Sequence, residues 1–256
     1  MDVVILCGGR GTRLAEKTSV TPKPLVPIGE KPILWHIMKI YSHHDHNRFV
    51  LPLGYKGHQI KRFFMEYPWI NNSFEIATNS IQIPKPKEDW SVALIDTGIE
   101  SKTQKRLFLV KDRIKTDSFM LTYGDGVADI NINELVKRHE YLKQKHDIIC
   151  TITLHNHKSK FGVVDVENGL AKEFREKPSM DKMMNIGFMI FDKKVFDYID
   201  DSDVMLESLL LPKLAAEGKI GVYNHEGFWG CMDTYGDYLQ LNDLWNREKP
   251  WKIWKD

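Results

Sequence analysis

With 256 residues, 42% of them hydrophobic, the chain can bury a sizeable core, and 36 basic against 35 acidic side chains leave a net charge of +1. So even a balance gives no global attraction to nucleic acid or to an anionic membrane, and any cation that matters must act locally. Cys7, Cys150 and Cys231 are odd in number and widely spaced, which suggests neither a disulfide framework nor a zinc site. Met1 to Leu6 is too short for a signal-peptide core, and no apolar run approaches the roughly 18 residues of a membrane span, so a cytoplasmic protein is expected.

The first element carries the strongest signal. Val3, Val4, Ile5 and Leu6 are an unbroken, mostly β-branched apolar run, as expected of a parallel strand covered on both faces. It leads straight into Cys7-Gly8-Gly9-Arg10-Gly11-Thr12-Arg13-Leu14. Three glycines let the backbone turn and bring its amides close to a polyanion, and Arg13 adds a fixed charge, so a nucleoside triphosphate is the expected ligand. A P-loop is excluded because no Gly-Lys-Ser/Thr follows, and a dinucleotide fingerprint because Leu14 stands at the third glycine position. Thr21-Pro22-Lys23-Pro24-Leu25 is a proline-stiffened segment that fixes the approach of Lys23, which is expected to point toward the same phosphates.

Farther along, Ile33 to Tyr41 has helical spacing, Phe49 to Leu53 reads as a second strand and Gly57 to Phe64 as a helix, a parallel α/β pattern. Phe74 to Ala77 and Val92 to Ile95 look like shorter strands, and the prolines of Ile81-Gln82-Ile83-Pro84-Lys85-Pro86 predict an excursion from the sheet. Phe119 to Thr122 is the next central strand, Ile132 to Lys145 an amphipathic helix and Ile148 to Leu154 another buried strand, so the order is doubly wound. Beyond lie short strands at Gly162 to Val166, Ala171 to Phe174 and Asn185 to Phe191, then a helix from Met205 to Glu217 stopped by Gly218. Trp245, Trp251 and Trp254 are too aromatic to be left in water and pack on the chain's own core or on a neighbouring subunit.

Two carboxylates suit a hard divalent cation such as Mg²⁺. Asp125 follows an apolar strand and sits between Gly124 and Gly126, where its carboxylate can point into the crevice outside the sheet, although Asp-Gly also marks ordinary turns. Asp233 precedes a helical pattern that starts at Thr234, so it reads as a metal ligand or as a helix N-cap. Asp129 reads as a local cap or turn residue, and His43-His44-Asp45-His46 as a solvated loop, since metal ligands need a convergence that one short loop seldom supplies.

The glycine string followed by Lys23-Pro24-Leu25 resembles the signature of the sugar-phosphate nucleotidyltransferase family, which joins a nucleoside triphosphate to a sugar 1-phosphate. Its CTP-using members are the more similar, on Lys31-Pro32-Ile33-Leu34-Trp35-His36, Gly54-Tyr55-Lys56-Gly57, Asp96-Thr97-Gly98, Thr122-Tyr123-Gly124-Asp125-Gly126, Glu176-Lys177-Pro178, Gly227-Phe228-Trp229 and Met232-Asp233-Thr234. The resemblance implies a Rossmann-like, doubly wound, mixed but mainly parallel sheet with a smaller β-rich sugar-binding region. It implies one domain over residues 1–256, with a nucleotide-binding half at 1–154 and a sugar-binding half at 155–256.

The activity so implied condenses CTP with a sugar 1-phosphate, glucose 1-phosphate foremost, to a CDP-sugar and pyrophosphate in a homo-oligomer. Leu6, Cys7, Gly8, Gly9, Gly11, Thr12, Arg13, Lys23, Ser101, Arg106 and Gly124 would meet the nucleotide, and Asp125 and Asp233 would hold Mg²⁺. Glu176, Lys177, Asn185 and Gly187 would meet the sugar phosphate, although Lys177 beside Glu176 also reads as an ordinary surface ion pair. The chain departs from the family pattern in two places. Gln104 and Lys105 stand where glycines usually precede the arginine, and Ile186 stands where a glycine is usual, which would narrow the sugar pocket. The same chemistry with UTP, dTTP or another phosphorylated sugar or polyol stays open. A non-catalytic nucleotide sensor is a further alternative, but it would not need Arg13, Lys23, Asp125, Lys177 and Asp233 together.

Overall fold

The computed structural model describes residues 1–255 apart from 71–72, 74, 78–79, 83–86, 159–162, 168–169 and 176–178. In chain order the strands are β1 (Asp2–Leu6), β2 (Pro27–Ile28), β3 (Lys31–Pro32), β4 (Arg48–Leu53), β5 (Glu75–Ala77), β6 (Ser80–Gln82), β7 (Ser91–Asp96) and β8 (Ser118–Tyr123). They continue as β9 (Gly126–Ala128), β10 (Cys150–Lys158), β11 (Val163–Glu167), β12 (Leu170–Arg175), β13 (Ser179–Asp192), β14 (Ile220–His225) and β15 (Trp229–Cys231). The helices are α1 (Ala15–Thr18), α2 (Ile33–Ser42), α3 (Gly57–Ile70), α4 (Thr103–Leu109), α5 (Ile132–His146), α6 (Leu210–Ala216) and α7 (Tyr235–Arg247). Among the described residues no helix is long and apolar enough to cross a membrane.

Seven strands form the central sheet in the order β14-β10-β13-β8-β1-β4-β7. All neighbours are parallel except β13, which runs against both β8 and β10, so the sheet is the mixed, mainly parallel, doubly wound type expected. It takes strands from both halves of the chain. β1 pairs with β4 on one side and β8 on the other, and the chain winds out through β4 and β7 before returning to β8. That reversal opens a crevice beyond the carboxyl ends of β1 and β8, where this class of sheet binds ligands. Strand alternation divides the core: Val3 and Ile5 join one cluster with α2, while Val4 and Leu6 join another that includes Leu107 of α4 and Leu210 of α6.

Several elements differ from the sequence reading. β5 and β6 pair only with each other, and the proline-rich residues 83–86 lie outside the described residues. α3 runs on to Ile70 past Pro68, which has no N–H to give the Phe64 carbonyl, so the helix continues there with one backbone bond fewer. α6 starts at Leu210, five residues later than expected, because the preceding segment is tied elsewhere: Leu206 N–H donates to Thr103 Oγ1 at 2.8 Å, and Gln104 N–H to the Val204 carbonyl at 3.1 Å. Asn131, not Asp129, caps α5, its side chain accepting from Glu134 N–H at 3.2 Å; Asp129 lies instead 3.1 Å from His225 Nε2. Gly218 has the positive φ, 67°, expected of the residue that ends α6.

The closing tryptophans pack on the chain's own core, around a buried histidine. Trp251 Nε1–H donates to His36 Nδ1 at 3.3 Å, which leaves Nε2–H to donate to the Ile28 carbonyl at 3.0 Å. Trp245 stands 4.4 Å and Trp251 5.9 Å from the imidazole, centroid to centroid. Burial among these rings pushes the His36 pKa down from 6.5 to about 4, against weaker support from backbone carbonyls.

Between those two values the unfolded chain binds a proton that the folded chain refuses, so stability rises with pH across the window and is lost as pH falls from 6.5 toward 4. The loss should reach the order of 3 kcal/mol for this one group. Urea unfolding followed by tryptophan fluorescence should show the midpoint dropping across that window. His36→Gln, which can keep both hydrogen bonds but does not titrate, should remove this group's share of the slope and leave that of His46 and His139, which burial also lowers to about 4.

Candidate active site

The crevice beyond β1 and β8, about 310 Å³, is lined by Leu6, Cys7, Gly8, Gly9, Arg13, Lys23, Ser101, Arg106, Gly124 and Asp125, all singled out in the sequence. Gly11 has φ 63° and opens a short 3₁₀ turn, Thr12–Leu14, that carries Arg13 to the mouth. A Cβ at Gly11 would sit 3.2 Å from Lys23 Cβ, so the loop and the lysine segment pack directly on each other. Lys23 starts a second 3₁₀ turn, Lys23–Leu25, with Pro24 fixing φ at its second residue. At Gly124 an added Cβ would meet the Leu6 carbonyl at 3.0 Å and Pro24 at 3.1 Å, so a side chain there would press the two strand ends apart by a few tenths of an ångström.

Four charges converge here. Lys23 Nζ lies 2.7 Å from Asp125 Oδ2 and 3.0 Å from Asp233 Oδ1, and Arg13 Nη1 lies 2.5 Å from Asp233 Oδ2. Burial lowers the lysine pKa, but the charge of Asp125 and the hydrogen bonds Lys23 donates to both carboxylates outweigh it and raise the value, so Lys23 stays an ammonium. Burial, with Asp125 adding to it, pushes the Cys7 thiol up, which leaves it neutral and unreactive. Asp233 is free for this cluster because Thr234 caps α7: its Oγ1 accepts from Asp237 N–H at 3.3 Å, and Asp237 Oδ2 accepts from Thr234 N–H at 2.9 Å in return.

Two carboxylates that already share one cation can share another. Mg²⁺ commonly takes only one or two protein carboxylates, filling its octahedron with water and substrate phosphate oxygens, so Asp125 and Asp233 fit that demand. Among the described residues no group of three or more possible protein ligands gathers, at this site or in the His43–His46 loop. There His46 Nδ1 instead meets the N-terminal amine at 3.1 Å.

Ser101 turns its hydroxyl to the Thr97 carbonyl, and Arg106, in α4, is buried against backbone. Thr12 is exposed beside the mouth. Asn185 Oδ1 accepts from Gly187 N–H at 3.0 Å, and Gly187, with φ 83°, is backed by the Tyr123 ring, 2.4 Å from where a Cβ would stand. Ile186 does not narrow a pocket: it is 4% exposed and packs into the core with Phe188, because the strand turns that side inward. Glu176 and Lys177 lie outside the described residues. Tyr123, Thr103, Pro24 and Met205 line the crevice without having been singled out. Tyr123 could have been found as the last residue of the strand before Gly124, whereas Met205 was hidden in a segment that reads as helix.

The family model described as "Nucleotidyl transferase" matches residues 2–246, and the chain belongs to that family. It is 44% identical over 258 residues to a protein of Bacillus subtilis (strain 168) named "Probable glucose-1-phosphate cytidylyltransferase", covering 99% of this chain and 100% of that one. To the glucose-1-phosphate cytidylyltransferase of Salmonella typhi it is 42% identical over 261 residues, covering 100% of both. Among solved structures, HddC from Yersinia pseudotuberculosis superposes with a TM-score of 0.69 at 22% identity, over 95% of this chain and 99% of that one, a likeness of fold.

Removing the shared ammonium should leave Asp125 and Asp233 facing each other. Lys23→Met is expected to lower urea stability by about 1–3 kcal/mol in metal-free buffer. Lys23→Met/Asp125→Asn should recover part of that, since one of the two facing charges is gone. Additive losses in the double variant would show that the carboxylates do not repel across the lysine site.

Proposed function

We propose that the protein transfers a cytidylyl group from CTP to a sugar 1-phosphate, glucose 1-phosphate foremost, releasing pyrophosphate and a CDP-sugar. The observation that carries this reading is the meeting, at one strand crossover, of a glycine loop with Lys23, Arg13, Asp125 and Asp233. The family match and the full-length relatives named glucose-1-phosphate cytidylyltransferase support the choice of reaction and substrates. A phosphate oxygen of the sugar 1-phosphate attacks the α-phosphorus in line. The new P–O bond forms as the α–β bond breaks, and the electron pair leaves on pyrophosphate.

The four side chains of the cluster are neutral as a set, two positive and two negative. A triphosphate arriving alone would find both cations already engaged. Asp125 and Asp233 would hold Mg²⁺, which when bound supplies positive charge to phosphate oxygens and so offsets the charge developing in transfer. Lys23 and Arg13, released from the carboxylates, can then turn to the triphosphate, while the glycine-loop amides orient it. Gly124 keeps the strand end flat enough for ribose and base to approach, and Lys177 with Glu176, Asn185 and Gly187 are the residues assigned to the sugar phosphate. A cytoplasmic homo-oligomer belongs to this reading too, on the strength of the family resemblance alone.

A pyrophosphate-release panel of CTP, UTP, dTTP, GTP and ATP against several sugar 1-phosphates tests the substrates. CTP with glucose 1-phosphate should give the highest kcat/KM, and a different winning base or sugar would replace that half of the assignment. Asp125→Asn, nearly isosteric but uncharged, should keep the far-UV spectrum and lose about 100-fold or more in kcat. Full turnover by the folded variant would remove Asp125 from the metal site.

A further inference from the structure

Arg106 is buried, 3% exposed, and its guanidinium is wedged between two glycine backbones. A Cβ at Gly8 would lie 2.1 Å from its Cζ, and one at Gly54 would lie 2.6 Å from both Nη1 and Nη2. Nη1 donates to the Leu53 carbonyl at 2.9 Å and to Thr97 Oγ1 at 2.7 Å; Nη2 donates to the Gly8 carbonyl at 3.0 Å and to the Ile99 carbonyl at 3.2 Å. Four of the five guanidinium donors are therefore committed to the protein itself.

The Gly8 carbonyl is held twice, since it also accepts from Tyr55 N–H at 3.0 Å. The Gly8–Gly9 peptide is trans, so the Gly9 N–H points opposite to that carbonyl. Drawing the carbonyl toward Arg106 and Tyr55 thus turns the Gly9 amide the other way, into the crevice that Gly9 lines. Two adjacent glycines have little intrinsic preference for one peptide orientation, so an external clamp is what fixes it.

We propose that Arg106 is a positioning residue: it locks the Gly8–Gly9 peptide so that the Gly9 amide is presented to the triphosphate, and it does not itself read the base. Only the identity of the anion rests on the nucleotidyl-transfer reading. Lysine cannot replace it, because one ammonium cannot span acceptors contributed by Gly8, Leu53, Thr97 and Ile99.

The test is calorimetric binding of CTP and, separately, of inorganic tripolyphosphate to the full chain, with Arg106→Lys, Arg106→Gln and Gly54→Ala. Both ligands should weaken by a similar factor, about tenfold, in all three variants, with no rescue by lysine. Gly54→Ala keeps the arginine, but its methyl would lie 2.6 Å from both Nη atoms and from the Gly8 carbonyl oxygen, so it displaces clamp and carbonyl together and tests the Gly8–Gly9 orientation even where an Arg106 variant unfolds. A loss confined to CTP, with tripolyphosphate binding unchanged, would mean that Arg106 meets base or ribose directly and would overturn the proposal. If the native chain binds tripolyphosphate but not CTP, the nucleotide reading fails while the clamp is still judged on tripolyphosphate.

Discussion

Everything else in the molecule serves one constraint: two carboxylates and two cations, brought from four separate stretches of chain, must meet within about 3 Å at the open end of a buried sheet. Like charges that close repel by several kcal/mol at the effective dielectric of a protein surface, so the cluster holds only while its signs alternate. Asp125 faces Lys23, Lys23 faces Asp233, and Asp233 faces Arg13. This arrangement is stable without ligand yet easily rewired by one, since each member has a partner that a phosphate or a divalent cation can replace. The electrostatics thereby couple the two substrates' charges to a cluster whose own net charge is zero.

Holding four such groups in register needs rigid mounts, and the mounts are mostly apolar. Asp125 hangs from β8, whose first five residues are buried, and the glycine loop from β1, buried throughout. Lys23 and Asp233 are joined by a longer route. Beyond the Lys23 turn, Gly29 N–H donates to Asn242 Oδ1 of α7 at 2.9 Å, and Gly29 lies so close to Trp245 that a Cβ would sit 2.5 Å from the ring. α7 also follows directly on Asp233, so one helix fixes both ends of the carboxylate–lysine contact. The tryptophan cluster around His36 is in this sense part of the site's scaffold, although none of its rings lines the crevice itself.

The fold was legible because its strands are covered on both faces and therefore read as plain apolar runs, from Val3 to Leu6 through Phe119 to Thr122. The glycine loop, Lys23 and Asp125 were legible for a related reason: each lies within a few residues of such a run, so strand geometry predicts where it points. Pairwise contacts across the chain were not. Thr234-x-x-Asp237 is a local capping box that favours Thr234 over Asp233, but nothing local says that Asn131 rather than Asp129 caps α5, because Asp and Asn are comparable caps and His225, the partner of Asp129, is remote in sequence. Ile186 was legible after all, since it shares the parity of Phe188 and Ile190 and all three face the same core cluster. Met205 was hidden because the bonds from Thr103 and Gln104 overrule the helical pattern around it.

Charge alone cannot explain why the loop and the cluster lie so near each other. The Gly8 carbonyl, the Leu53 carbonyl and the Thr97 hydroxyl converge on the same buried guanidinium, and their segments follow β1, β4 and β7, three adjacent parallel strands. Parallel neighbours bring all three carboxyl ends to one edge, where the Gly8 carbonyl accepts from Tyr55 N–H and the Leu53 carbonyl from Thr97 N–H, each with a second lone pair still to fill. A single arginine from α4 satisfies them together. The requirement to pair those strand ends thus fixes the backbone of the glycine loop before any ligand arrives, and a preorganised set of amides is what lets a small number of side chains handle a highly charged substrate.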